Sequence, residues 1–177
     1  MMCSVMRVIA SASACAALLG LSSSHAAAAP AEPAIVRVQS IGLGIALAAA
    51  QSALAACRGK GALVAVAVTD RSGVVLAVLR DPLAGMHTAE AATRKAWTAV
   101  SFRNSTAVLE RATAPATESA GIRQLPGVAM VGGGLPIEAA GKQIGGIGVS
   151  GAPSGVMDEA CARAGLASIR DDLELSE

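Results

Sequence analysis

Two histidines occur in the 177 residues, His25 and His87. His87 follows Gly85-Met86 in a loop after a strand end and stands just before a helix start. An imidazole there can ligate a metal, move protons near neutral pH or help hold an anionic ligand. The plainer reading is a surface histidine assisting the helix cap. Arg94 and Lys95 lie one to two turns into the same helix, which Arg103 ends. With the free N–H groups of the helix start, they could bind a carboxylate. For Arg94 a solvated face, paired with Glu90 four residues earlier, is the simpler account. Lys95 is harder to explain in that way, because Trp97 and Val100 nearby suggest partial burial. One histidine and two distant cysteines do not supply the four ligands of a structural zinc site.

Two glycine motifs invite catalytic readings. Gly146-Ile147-Gly148-Val149-Ser150-Gly151 matches G-x-G-x-x-G, and Asp171 follows 20 residues later. A dinucleotide fingerprint needs a βαβ unit, and here one helix follows with no second strand. A glycine-rich strand approached closely by a helix or another subunit accounts for it better. The same segment lacks the final glycine of a nucleophile elbow, because position 152 is alanine.

The elements that must position these residues alternate in character. Helical spacing of Ile41, Ile45 and Ala48 predicts a helix from about Val38 to Arg58, stopped by Gly59 and Gly61. Ala62 to Thr69 and Val74 to Arg80 read as a β-hairpin around Asp70-Arg71-Ser72-Gly73. Thr88 to Phe102 reads as a helix with Thr88 as a candidate cap. A short helix over Ser105 to Arg111 and a loop over 112–126 follow. The last third reads as three strands, Val128 to Val131, Ile137 to Ala140 and Gln143 to Ser150, with Gly132–Pro136 as a sharp connection. A final helix covers about Gly155 to Ile169. Hairpins of this kind imply an antiparallel sheet of about five strands with helices packed on it.

Arg7 is the only Lys, Arg, Asp or Glu before Glu32, and an apolar run from Val8 to Leu21 follows it. Ser24-His25-Ala26 fits a signal-peptidase site, with cleavage after Ala26 or, as the rival, after Ala28. The run is shorter than the roughly 20 residues of a membrane span. Residues 1–26 are thus expected to be a secretory signal and 27–36 a disordered Ala/Pro tail, with 37–170 the domain and 171–177 an acidic tail. The protein is expected to be periplasmic or secreted. Loss of Arg7 from the 14 Lys and Arg leaves 13 against 13 Asp and Glu. With one Trp, one Phe and no Tyr, the chain has neither the basic surface nor the aromatic platforms of a nucleic-acid binder. Of four cysteines, Cys3 and Cys15 leave with the signal. The two that remain, Cys57 and Cys161, suggest one disulfide in an oxidising compartment, with two buried free thiols as the alternative.

Several segments together resemble the GlcG/HbpS family of haem-binding and haem-degrading proteins. They are Val66-Ala67-Val68-Thr69-Asp70-Arg71-Ser72-Gly73, Leu79-Arg80-Asp81 leading to Gly85-Met86-His87-Thr88, and Arg94-Lys95-Ala96-Trp97-Thr98-Ala99. The most specific is Gly132-Gly133-Gly134-Leu135-Pro136-Ile137 followed by Ile144-Gly145-Gly146-Ile147-Gly148-Val149-Ser150-Gly151. The resemblance spans roughly residues 40–170. It implies an α/β (α+β), profilin-like fold, with a five-stranded antiparallel sheet flanked by helices, and homo-oligomers from dimer to octamer. It also implies an exported haem- or tetrapyrrole-binding protein for scavenging, buffering or sensing. His87 would then be the haem iron ligand, Arg94 and Lys95 the propionate partners, and aliphatic side chains and methionine the pocket walls. A small-molecule enzyme or carboxylate-binding protein using His87 and Lys95 is the alternative. In the profilin-like arrangement the terminal helices share one face of the sheet, so a Cys57–Cys161 bridge is expected.

Overall fold

The structure, a computed structural model, describes residues 33–175. The proposed signal and residues 27–32 lie outside the described residues. Residues 33–36 are exposed, and the chain from Arg37 onward forms one unit of its own.

Valine and alanine alternate along β1 (Ala65–Asp70), and period-two alternation sends them to opposite faces. Val66 and Val68 join Ile147, Val149 and Ile137 in the main core, under α1 (Leu43–Arg58) and α4 (Gly155–Ser168). Ala65 and Ala67 face the other way and pack on Ala92 of α2 (Thr88–Phe102). The sheet order is β2-β1-β4-β3, all antiparallel, with β2 at Val75–Arg80, β3 at Gly134–Ala139 and β4 at Lys142–Ser150. A short helix α3 (Thr106–Ala112) and a 3-10 turn (Glu118–Gln124) link α2 to β3.

The antiparallel sheet flanked by helices is as expected, but among the described residues it has four strands, not five. Residues 128–131 do not pair as a strand; they run beside α2, where the Ala129 amide donates to Thr98 Oγ1 at 2.9 Å. Of the expected Gly132–Pro136 connection, Gly134, Leu135 and Pro136 are instead the first half of β3, and Gly132 and Gly133 lead into it. Pro136 is tolerated there because β3 is an edge strand, where a missing N–H breaks no ladder bond. The first helix starts at Leu43 rather than Val38, because the chain before it stays extended. The Ile41 amide donates to the Ile144 carbonyl at 2.9 Å. From Arg170 the acidic end forms one more helix, α5 (Arg170–Glu174), whose Leu173 packs against the core.

The glycines of β4 are explained by α2. A Cβ on Gly146 would stand 2.8 Å from the Ala96 carbonyl oxygen, and one on Gly148 2.0 Å from that of Ala92. The G-x-G-x-x-G run therefore seats a helix and cradles no phosphate.

Cys57 of α1 and Cys161 of α4 form a disulfide, with Cα atoms 5.5 Å apart. Both residues are fully buried.

Candidate functional site

The loop that carries His87 is pinned at its base by Asp81, the first residue after β2. Its carboxylate is buried, takes the Val64 amide at 3.2 Å and pairs with Arg58 at 2.5 Å. The Arg80 guanidinium donates to the Ala84 carbonyl, and Thr88 closes the turn by donating Oγ1 to the Gly85 carbonyl at 2.7 Å. These bonds fix the backbone on both sides of His87. The His87 side chain itself makes no helix-capping hydrogen bond and is exposed. Its ring lies over Gly85: a Cβ there would stand 2.8 Å from His87 Cε1 and 3.1 Å from Nδ1. The glycine leaves the space that the imidazole occupies.

His87 stands at the mouth of a cleft of about 450 Å³. One wall is the start of α2. The other is the segment from Ser150 to Gly155, which joins β4 to α4. Ala91, Ala129, Val131, Ala152 and Pro153 give its walls aliphatic patches, beside the polar Thr88, Ser150 and Ser154. Met86, beside His87, is 96% exposed, and Val156, at the start of α4, is also exposed.

Lys95 and Asp158 form the floor. Lys95 Nζ reaches Asp158 Oδ2 at 2.8 Å and the Val149 carbonyl at 2.9 Å. Asp158 Oδ1 accepts the Ala152 amide at 3.0 Å. Each of the two side chains is only 5% exposed. Arg94 points elsewhere: its side chain is 52% exposed, pairs with Glu90 at 2.5 Å and does not line the cleft. The structure thus brings His87 and Lys95 to one cleft and leaves Arg94 outside it.

Asp158 is absent from the residues that the sequence singled out. A signal for it exists. Asp158, Cys161, Ala162 and Gly165 recur at i, i+3, i+4 and i+7 on the buried stripe of α4. Ala92, Lys95, Ala96 and Ala99 recur in the same way on α2. A carboxylate and an ammonium on two buried stripes each need a partner, and each is the other's.

Among the described residues no group of three or more His, Cys, Asp or Glu gathers that could hold a metal ion. Haem asks for less, namely one axial donor and an apolar pocket. The exposed imidazole and the aliphatic walls fit that demand, and the volume lies within the range of about 300–1,000 Å³ usual for small-molecule sites. Among the described residues no helix is long and apolar enough to cross a membrane.

Comparison with known proteins identifies the family. Residues 41–167 match the family described as haem-degrading protein, HbpS-like. No curated protein matches. Among solved structures, a double mutant of Streptomyces reticuli HbpS shares 40% identity with a TM-score of 0.72, over 80% of this chain and 97% of that one. Klebsiella pneumoniae protein ORFY shares 26% identity with a TM-score of 0.76, over 79% and 97%. A PduOC:haem complex shares 26% identity with a TM-score of 0.68, over 73% and 95%. With a family match that covers well over half of its residues, the chain belongs to the HbpS-like family of haem-degrading proteins.

Proposed function

We propose that this is an exported haem-binding protein that scavenges, buffers or senses haem, and that His87 would hold the haem iron. The observation that carries the reading is the His87 imidazole, exposed at the mouth of an aliphatic cleft and not tied into the helix cap. His87 would hold the iron, and bound haem would supply redox-active iron there. In this reading Gly85 gives the ring its room, and Ala91, Val131 and Pro153 would keep water from the bound ligand. Arg94 lies outside the cleft, paired with Glu90, and would have to turn from it to meet an acid group of the ligand. Lys95 serves as buried support, because Asp158 and the Val149 carbonyl already engage its ammonium. That engagement also weighs against His87 and Lys95 acting together on a small carboxylate substrate.

Export is supported by the Cys57–Cys161 bridge, since such bonds persist in oxidising compartments. Self-association belongs to the same proposal. The edge strand β2 carries exposed Val75 and Val78, with Val74 exposed just before it, and an unguarded apolar edge favours pairing.

The deciding experiment is a haemin titration of the purified protein, followed at the Soret band. A shifted, saturable band that His87→Ala weakens by about tenfold or more in affinity is the expected result. A wild-type spectrum identical to free haemin would end the proposal. The N-terminal mass of the protein from its host tests export.

A further inference from the structure

We infer that Asp158 and Lys95 are a positioning pair that sets the two walls of the His87 cleft against each other. The ligand in this inference rests on the haem reading; the geometry does not. Helices α2 and α4 lie on opposite faces of the sheet, so they can meet only past its end. The pair meets there. Through it four pieces of chain are joined: α2 by Lys95, the end of β4 by the Val149 carbonyl, α4 by Asp158, and the β4–α4 wall by the Ala152 amide.

The backbone around the pair makes way for it. A Cβ on Gly133 would stand 2.7 Å from Asp158 Cβ and 3.1 Å from Lys95 Nζ, and its φ of +120° is itself a glycine conformation. A Cβ on Gly132 would stand 3.0 Å from the Gly155 carbonyl oxygen, at the start of α4. The first two glycines of the Gly132-Gly133-Gly134 run thus serve to bring α4 and its carboxylate up to Lys95.

Stability alone does not explain a buried ion pair, because well-packed apolar residues of similar volume often do as well or better. An apolar pair could not accept the Ala152 N–H or donate to the Val149 carbonyl. Those two bonds are what orient the wall. His87 lies eight residues before Lys95 on α2, about 12 Å along the helix at 1.5 Å per residue. The separation of His87 from Ala152 and Pro153 therefore depends on where Lys95 meets Asp158 as well as on the packing of α2 against β4.

Amide hydrogen exchange and haemin titration test this together. In the wild type, the Ala152 amide should exchange as slowly as the first turns of α4, although its neighbours Gly151 and Ser154 are exposed. Exchange of Ala152 at a free-loop rate would overturn the inference without any variant. Lys95→Met and Asp158→Leu, each alone, should lower Tm by about 5–10 °C, because each strands a buried charge. Combined, they should restore Tm to within about 3 °C. The double variant should still lose the Ala152 protection and bind haemin about tenfold more weakly, with a displaced Soret maximum. Lys95→Gln with Asp158→Asn keeps hydrogen-bonding groups without charge, and should retain both properties. A Met/Leu double variant with wild-type protection and wild-type haemin binding would overturn the inference. If the wild type binds no haemin, the haem reading fails alone, and the exchange data still decide the pair.

Discussion

A Cβ on Gly148 would stand 2.0 Å from the carbonyl oxygen of Ala92, so β4 and α2 touch backbone to backbone. Neither side has a flexible atom to move. Gly134 repeats the relationship one strand over, with its Cβ position 2.4 Å from the Lys95 carbonyl oxygen. The sheet carries α2, and with it His87 and Lys95, on a bed of glycine and alanine. Gly148→Ala must therefore lift the helix or bend the strand. Overpacking of this kind costs about 1–3 kcal/mol, and contact with backbone puts the expectation at the upper end. Urea unfolding measures it. A loss under about 0.5 kcal/mol would mean that α2 can move away from β4 freely.

The Cys57–Cys161 bridge closes a long stretch of chain, with a sequence separation of 104. Cross-links of that span constrain the unfolded chain strongly, and about 2–4 kcal/mol is the usual contribution. Cys57→Ala with Cys161→Ala should lose that amount, read from denaturant midpoints. Thiol-labelling of unreduced, denatured protein, read by peptide mapping, should leave Cys57 and Cys161 unlabelled. Labelled Cys57 and Cys161 there would refute the bridge.

Much of the arrangement was legible in the sequence, and the exceptions have physical causes. The hairpin at Asp70–Gly73 was readable because Asp70 Oδ1 accepts the amides of Ser72 and Val74, a bond pattern that the residue types announce. The span of α2 was readable from the Glu90–Arg94 spacing, but its N-cap is His87 and not Thr88, whose Oγ1 donates back to the Gly85 carbonyl. The strand β3 was readable only in its second half, from Ile137 on, because Gly134 and Pro136 are local strand breakers that only tertiary context excuses: close contact with α2 for one, an edge position for the other. The cleft was half legible. His87 announces itself as a lone imidazole in a loop, whereas Asp158 is one acid among several. Its burial follows only from the stripe it shares with Cys161, Ala162 and Gly165.

Arg94 separates ligand chemistry from stability. Its ion pair with Glu90 is exposed on both sides, and such i,i+4 pairs contribute about 0.3–0.5 kcal/mol. Arg94→Ala should leave the unfolding midpoint almost unchanged. Haemin affinity should fall about two- to fivefold, and less at high salt, where surface charges are screened. An affinity equal to wild type at low salt would remove Arg94 from the site and leave it as a solvated helix residue.

The Gly85–His87 contact offers the sharpest test of the axial-ligand assignment. Gly85 has no positive φ that would bar a side chain, and a Cβ there would meet only the tip of the His87 ring and, less closely, a methyl of Thr88. The ring can swing aside, so Gly85→Ala should change Tm by no more than about 2–4 °C, the equivalent of 1 kcal/mol in a chain of this size. It cannot swing aside and keep its present direction. Haemin affinity should therefore drop about tenfold, with a changed Soret maximum, while the fold stays intact. Adding Gly85→Ala to His87→Ala should then do nothing further, because the residue it displaces is already gone. Additive losses in the two variants would show that Gly85 acts on the ligand by another route and that His87 is not the group it positions.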